Sequence, residues 1–215
     1  MKNILPATIA LLIALNAFAA EKKSAPAKPG LTPAQSEARY TAVIDERSQK
    51  IVAALGLGDT NAAAKVHDII MAQYRALNDW HNANDARIKA AKGDQAAIAE
   101  IQAPLRKLHA EYLARLAEHL TPDQIEIVKD KMTYGKVQFT FKGYGVEYPD
   151  MSKVDQQAVL NYLKQAREEA MDAGSANEKS AIFNRYKGKI NNYLAKQGIH
   201  SHKAKADSHS HSSAK

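Results

Sequence analysis

The chain has 215 residues, no cysteine and a formal net charge of +7. The lack of cysteine excludes disulfides, thiolate catalysis and cysteine-based zinc sites. Most of the excess positive charge lies in the two ends, because residues 31–198 include 23 basic and 21 acidic side chains. We therefore expect no nucleic-acid partner, since binding one needs cationic side chains clustered on the folded surface.

The first 19 residues have the pattern of a cleavable signal peptide. Lys2 precedes an apolar run over residues 4–14, and the small residues Ala17 and Ala19 precede a charged stretch. The run is shorter than the roughly 20 apolar residues that a bilayer span requires. We expect cleavage after Ala19, a periplasmic or secreted product without a membrane span, and a linker over residues 20–30.

Apolar residues at helical spacing predict one all-α domain over residues 31–198, with about six helices. The first helix begins at Thr32-Pro33 and stops at Gly56. The second and third are long and form an antiparallel hairpin, and Pro104 is expected to kink or split the third. A shorter fourth helix begins at Thr121-Pro122, and the last two helices form a C-terminal pair.

Residues 136–148 have a different pattern. Val137, Phe139 and Phe141 alternate with polar residues, and glycines interrupt the stretch. This alternation predicts a short extended, β-like insertion that lies on the helical body. After residue 198 no apolar spacing remains, so residues 199–215 are predicted to form a disordered, histidine-rich tail.

Five strings are distinctive, at residues 77–81, 132–135, 142–144, 166–175 and 186–194. Together they resemble the bacterial family named Domain of Unknown Function 3826. The family has no assigned activity, and the resemblance implies an exported protein that accompanies polysaccharide-degrading systems. The Leu-Thr-Pro-x-Gln strings at Leu31 and Leu120 are also similar to the motif of Spy-type periplasmic chaperones, although a capped helix start explains the same letters.

His81 and Asp85 are the basis of a catalytic hypothesis. They lie four residues apart on the second helix, so the carboxylate can orient an imidazole that acts as a general base. Asp79 is a weaker catalytic candidate on another face, and Asn78 is a candidate ligand contact. The alternative is a pair on the helix surface, with Trp80 covering a neighbouring contact.

A second group combines aromatic rings with amide and cationic donors, which the binding of a sugar or a uronate requires. We predict that these residues meet where the extended segment folds over the last helix. They are Tyr134, Lys142, Tyr144, Arg185, Lys187, Asn191 and Asn192. The alternative is that the tyrosines of the last helix are core, and that its lysines and asparagines cover a solvated face.

The tail has two His-x-His pairs, His200 with His202 and His209 with His211, which can capture a metal ion loosely. No phosphate loop, zinc-protease string or calcium loop occurs, so we expect no cofactor. The function that we expect is an exported, non-catalytic accessory protein with a carbohydrate or protein partner, in an oligomeric state that the sequence does not define. The alternatives are a lyase or hydrolase that uses His81, and a Spy-like chaperone.

Overall fold

A computed structural model describes residue 30 and residues 32–202 of the chain. Within them the fold is all-α, with seven helices and no strand, which confirms the predicted fold class and adds one helix to the predicted six. The signal-peptide prediction, most of the predicted linker and most of the predicted tail lie outside the described residues. The helices are α1 (Pro33–Leu55), α2 (Thr60–Ala90), α3 (Gln95–Ala117), α4 (Pro122–Met132), α5 (Lys136–Glu147), α6 (Lys153–Met171) and α7 (Ala176–Lys196).

The starts of α1 and α4 are two copies of one capping arrangement. The Thr32 hydroxyl accepts a hydrogen bond from the Gln35 backbone N–H, and the Gln35 side chain accepts one from the Thr32 N–H. Thr121 and Gln124 repeat this capping box at α4. Helix capping therefore accounts for the two Leu-Thr-Pro-x-Gln strings. Pro104 lies inside α3, which continues through it as one helix.

The prediction of an extended insertion over residues 136–148 was wrong, because residues 136–147 form α5. Val137, Thr140 and Tyr144 are buried at helical spacing, whereas Phe139 is 80% exposed. The alternation of aromatic residues therefore does not separate a buried face from an exposed one. Packing of the Val137 face against α6 fixes the helix despite its glycines, since tertiary contacts override weak local propensity.

The chain folds into two halves, each with its own apolar core. The N-terminal half, α1–α4, encloses residues such as Ile70, Tyr112 and Val128, all fully buried. The C-terminal half, α5–α7, encloses Val159, Leu163 and other residues. Helix α6 belongs to both, because Met171 at its end packs into the N-terminal core.

The contact between the halves, which we call the seam, is rich in charges. The Arg167 side chain is 3% exposed, and its guanidinium donates to Glu126 at 2.7 Å and to Asp130 at 2.6 Å. Next to it, the Lys129 ammonium donates to Glu168 at 2.9 Å. These pairs join α4 to α6. Among the described residues, none of the helices combines the length and the apolar character of a bilayer span.

Candidate functional site

A cavity of about 520 Å³ opens at the seam, between α2, α3 and the turn from α6 to α7. The apolar part of the lining of this seam cavity, which we call the apolar wall, is formed by Trp80, Ile88, Leu105 and Ile182. The remaining lining is mostly polar, from His81, Gln102, Arg106, Glu169, Asp172, Glu178 and Arg185. A concave site with one apolar wall and several convergent polar groups is typical of small-ligand sites.

His81 lies in the wall of this cavity with both ring nitrogens engaged. Nδ1 is 2.8 Å from the Asp85 carboxylate, so the predicted pair forms, and Nε2 is 2.7 Å from the backbone carbonyl of Asp172. A carbonyl only accepts hydrogen bonds, so Nε2 must donate. His81 therefore joins α2 to the end of α6, and its Nε2 is not free to take a proton from a substrate.

Gly174 explains how the imidazole fits under the α6–α7 turn. A Cβ atom at this position would lie 2.9 Å from Cγ of His81, so only glycine leaves room for the ring. Trp80 packs edge-on against the same ring, with 5.0 Å between ring centroids. The Trp80 indole N–H is buried without an acceptor among the described residues. This N–H is therefore not presented to the cavity, which the rest of the indole lines.

The side chain of Asp172 is held by His109, a residue that the sequence analysis did not select as a candidate. His109 Nδ1 lies 2.9 Å from the Asp172 carboxylate, and Nε2 lies 3.5 Å from Glu168. Hydrogen bonds that His109 donates to these two carboxylates raise its pKa to about 9. Burial alone would raise the pKa of Glu168, but hydrogen bonds from His109 and Lys129 lower it to about 2. A protonated His109 between ionised carboxylates therefore anchors the α6–α7 turn to α3.

Lys179 completes this anchoring from inside α7. Its ammonium donates to the carbonyls of Ala170 at 2.7 Å and Met171 at 3.3 Å, which are among the last of α6. These carbonyls form the negative end of the helix dipole, where a cation is favourable. The residue is only 5% exposed, and burial lowers the pKa of its ammonium to about 8. Sequence reasoning missed Lys179, because its spacing shows no pattern without the turn.

Arg185, Glu169 and Arg106 belong to the polar lining of the seam cavity. Arg185 makes an ion pair with Glu169. Arg106 donates to the carbonyl of Ala99 at 3.0 Å and has no carboxylate partner among the described residues. Sequence reasoning had selected Arg185 but neither Glu169 nor Arg106, because only the tertiary fold brings the three helices together.

Four of the predicted ligand-binding residues meet elsewhere, in a groove of about 490 Å³ between α5 and α7. They are Lys142, Tyr144, Lys187 and Asn191. The Tyr144 hydroxyl donates to Asn191 Oδ1 at 2.7 Å, and burial raises the pKa of this phenol far above its usual value. Tyr144 and Asn191 therefore already satisfy one another, and the groove does not include Arg185.

The other predicted residues lie apart from both places. Tyr134 is 51% exposed in the turn before α5, with a left-handed backbone beside Asp130 and Lys131. Asn192 is exposed on α7, and on α2 Asn78 is half-buried and Asp79 exposed; none of these three lines the seam cavity or the groove.

The predicted metal ligands of the tail are only partly described. His200 and His202 are exposed at the end of the described chain, and His209 and His211 lie outside it. Within the described residues no group of three or more metal-ligating side chains converges.

Fold and cavity together define a two-part helical protein with a cavity between its parts. In a comparison with protein families, the family described as Protein of unknown function (DUF3826) matches residues 41–214. The chain belongs to this family, as the resemblance of its sequence strings predicted. The match covers both halves and the seam. A comparison with curated proteins finds no match.

Proposed function

We propose that this protein is an exported, periplasmic accessory protein that binds a carbohydrate fragment in the seam cavity. One observation carries the proposal: four helices line a space of about 520 Å³ with both apolar and polar side chains. A sugar ring needs both, because one of its faces is apolar and its hydroxyls need directed hydrogen bonds. Export rests on the signal-like pattern of residues 1–19.

The seam cavity is a better candidate than the α5–α7 groove because four helices from both halves line it, whereas two helices line the groove. In the groove, Tyr144 and Asn191 bond to each other. In the seam cavity, Arg106 has no carboxylate partner among the described residues. A group that the protein leaves unpaired is one that a ligand can pair at low cost.

Binding is favoured over catalysis by the geometry of His81. The catalytic hypothesis predicts a cleft around His81, and His81 does line the cavity. However, its Nε2 donates to the Asp172 carbonyl and its Nδ1 faces Asp85, so a general base would first have to break one of these contacts. We therefore assign His81 to the cavity wall.

Trp80 makes the proposal directly testable. It is the only tryptophan of the chain and lines the cavity, so its fluorescence reports on this site alone. Titration with neutral and uronate-containing oligosaccharides, with calorimetry in parallel, is expected to give a saturable fluorescence change for at least one of them. Turnover of a bound oligosaccharide would instead support the enzyme alternative.

A matched pair of variants tests whether the oligosaccharide binds in the seam cavity. Ala181 lines the cavity, so Ala181→Phe fills it, whereas Ala195→Phe places the same ring on an exposed part of the same helix. We expect Ala181→Phe to abolish binding and Ala195→Phe to preserve it. A flat response of the unmodified protein to every oligosaccharide, or equal binding by both variants, would contradict the proposal.

A further inference from the structure

The acidic side chains around the seam cavity are neutralised within the protein. Glu169 is paired with Arg185, and Asp172 with His109. Glu178 lies in the first turn of α7 and accepts a hydrogen bond from the Gly174 N–H at 2.8 Å, where the helix dipole favours a carboxylate. None of these carboxylates therefore needs a cationic ligand.

Arg106 differs from Arg185, the other arginine that lines the cavity. Arg185 has a carboxylate partner. Arg106 has only a neutral partner, the Ala99 carbonyl, which lies two turns back along α3 and engages its Nη2. A guanidinium has five N–H donors in a fixed plane, so most of its hydrogen-bonding capacity remains free. The seam cavity thus has one unmatched positive charge, next to the apolar side chain of Leu105.

We infer that the ligand of the seam cavity carries a carboxylate that pairs with Arg106, so that the ligand is a sugar acid rather than a neutral sugar. The inference rests on the proposed function and restricts its ligand from carbohydrates in general to sugar acids. A carboxylate matches the planar donor pair of a guanidinium, and charge-assisted hydrogen bonds of this kind are about twice as strong as neutral ones. The ring of the sugar acid then lies along the apolar wall that contains Trp80 and Leu105.

Glu169 provides a second, independent consequence. Its carboxylate lies in the same lining and repels an anionic ligand, although Arg185 partly offsets the repulsion. Glu169→Gln removes the negative charge and leaves Arg185 unpaired. This variant is expected to bind a sugar acid several-fold more tightly and a neutral sugar with unchanged affinity.

The experiment compares three probes by Trp80 fluorescence: a uronate disaccharide, the same disaccharide with its carboxylate reduced to an alcohol, and inorganic sulfate. We expect the uronate to bind about tenfold more tightly than the reduced sugar, with an affinity that falls as salt is added. Sulfate alone is expected to bind weakly or not at all, because it lacks a ring for the apolar wall.

Two charge-matched variants test whether Arg106 causes the preference for the uronate. Arg106→Gln is expected to remove the preference for the uronate and to leave binding of the reduced sugar unchanged. Lys107→Gln removes the same charge from the adjacent residue, which is exposed and 3.6 Å from Glu111, and should change neither affinity. Circular dichroism of both variants verifies that they fold.

The outcomes separate the inference from the proposed function. Equal binding of uronate and reduced sugar, or an uronate preference that survives Arg106→Gln, would overturn the inference and leave carbohydrate binding in place. Binding of sulfate as tight as that of the uronate would overturn it too, because the site would then select charge alone. If Ala181→Phe leaves the binding of both sugars unchanged, the proposed function itself fails.

Discussion

The interiors of the two halves and the seam between them are built from different chemistry. The two cores are almost entirely apolar, whereas the two buried charged side chains among the described residues, Arg167 and Lys179, both bond at or beside the seam. Apolar contacts are non-directional, but ion pairs and hydrogen bonds fix a geometry. Burial of apolar side chains therefore folds each half, while charged contacts set how the halves meet and so shape the cavity.

Arg167→Ala, a substitution in the seam, is expected to lower the stability of the protein more than any other change described below. The substitution leaves Glu126 and Asp130 without their main partner inside the seam. We expect the free energy of unfolding to fall by about 3 kcal/mol, because the substitution removes two charge-assisted hydrogen bonds and leaves a space where the buried side chain lay. Chemical denaturation followed by circular dichroism measures the change.

Lys164→Gln is the control for this prediction. Lys164 is 49% exposed and lies 3.7 Å from the same Glu126, so its loss removes the same charge at the protein surface. Its expected cost is within about 0.5 kcal/mol. Equal losses in the two variants would mean that the seam charges do not hold the halves together.

The next largest loss of stability is expected when the pH is raised. The pKa of His109 is raised to about 9 in the folded protein, against about 6.5 when unfolded, so the folded state binds the proton more tightly. The stability that this proton contributes is complete below pH 6.5 and is lost as pH rises through 9. We expect a loss of roughly 2 kcal/mol over this range, measured as unfolding free energy against pH.

Variants of His109 and Lys179 test the assignment of this pH dependence. His109→Gln should remove the descending part of the profile. Lys179 acts in the opposite direction, because its pKa is lowered to about 8 in the folded protein, so its contribution rises with pH between about 8 and 10.4. Lys179→Met should remove that rise. A profile that both variants leave unchanged would show that other groups titrate at the seam.

The smallest effect is expected from Gly174→Ala. The added methyl group meets Cγ of His81 at 2.9 Å and displaces the ring against which Trp80 packs. We expect a loss of about 1 kcal/mol, a shift of Trp80 fluorescence and weaker ligand binding. Gly188→Ala is the matched control, since its Cβ meets nothing within 4 Å inside α7, and it should stabilise the protein by about 0.5 kcal/mol. An unchanged Trp80 emission in Gly174→Ala would contradict this role of Gly174.

The helix boundaries were largely predictable because they depend on local chemistry. Thr32 and Thr121 cap helices through neighbouring residues, so the short strings reveal them. The helical state of α5 was not predictable from its alternating residues, because it depends on contacts with α6 and α7. The exposed Phe139 made the local pattern misleading.

The candidate site was predictable only in fragments. The spacing of His81 and Asp85 shows that they share one helix face, and that pair forms. Nothing local connects His81 with Arg106 or Arg185, since each comes from a different helix. Hydrophobic periodicity predicts which faces are buried, but it does not specify which polar residues of separate helices converge.

Helix α6 has a consequence for the order in which the molecule opens. Its middle packs in the C-terminal core and its last residue, Met171, packs in the N-terminal core. Neither half can detach without exposing part of this helix to solvent. The backbone amides of α6 should therefore be the slowest to exchange with deuterium, at a rate set by opening of the whole protein, while the ends of α1 and α5 exchange through smaller fluctuations.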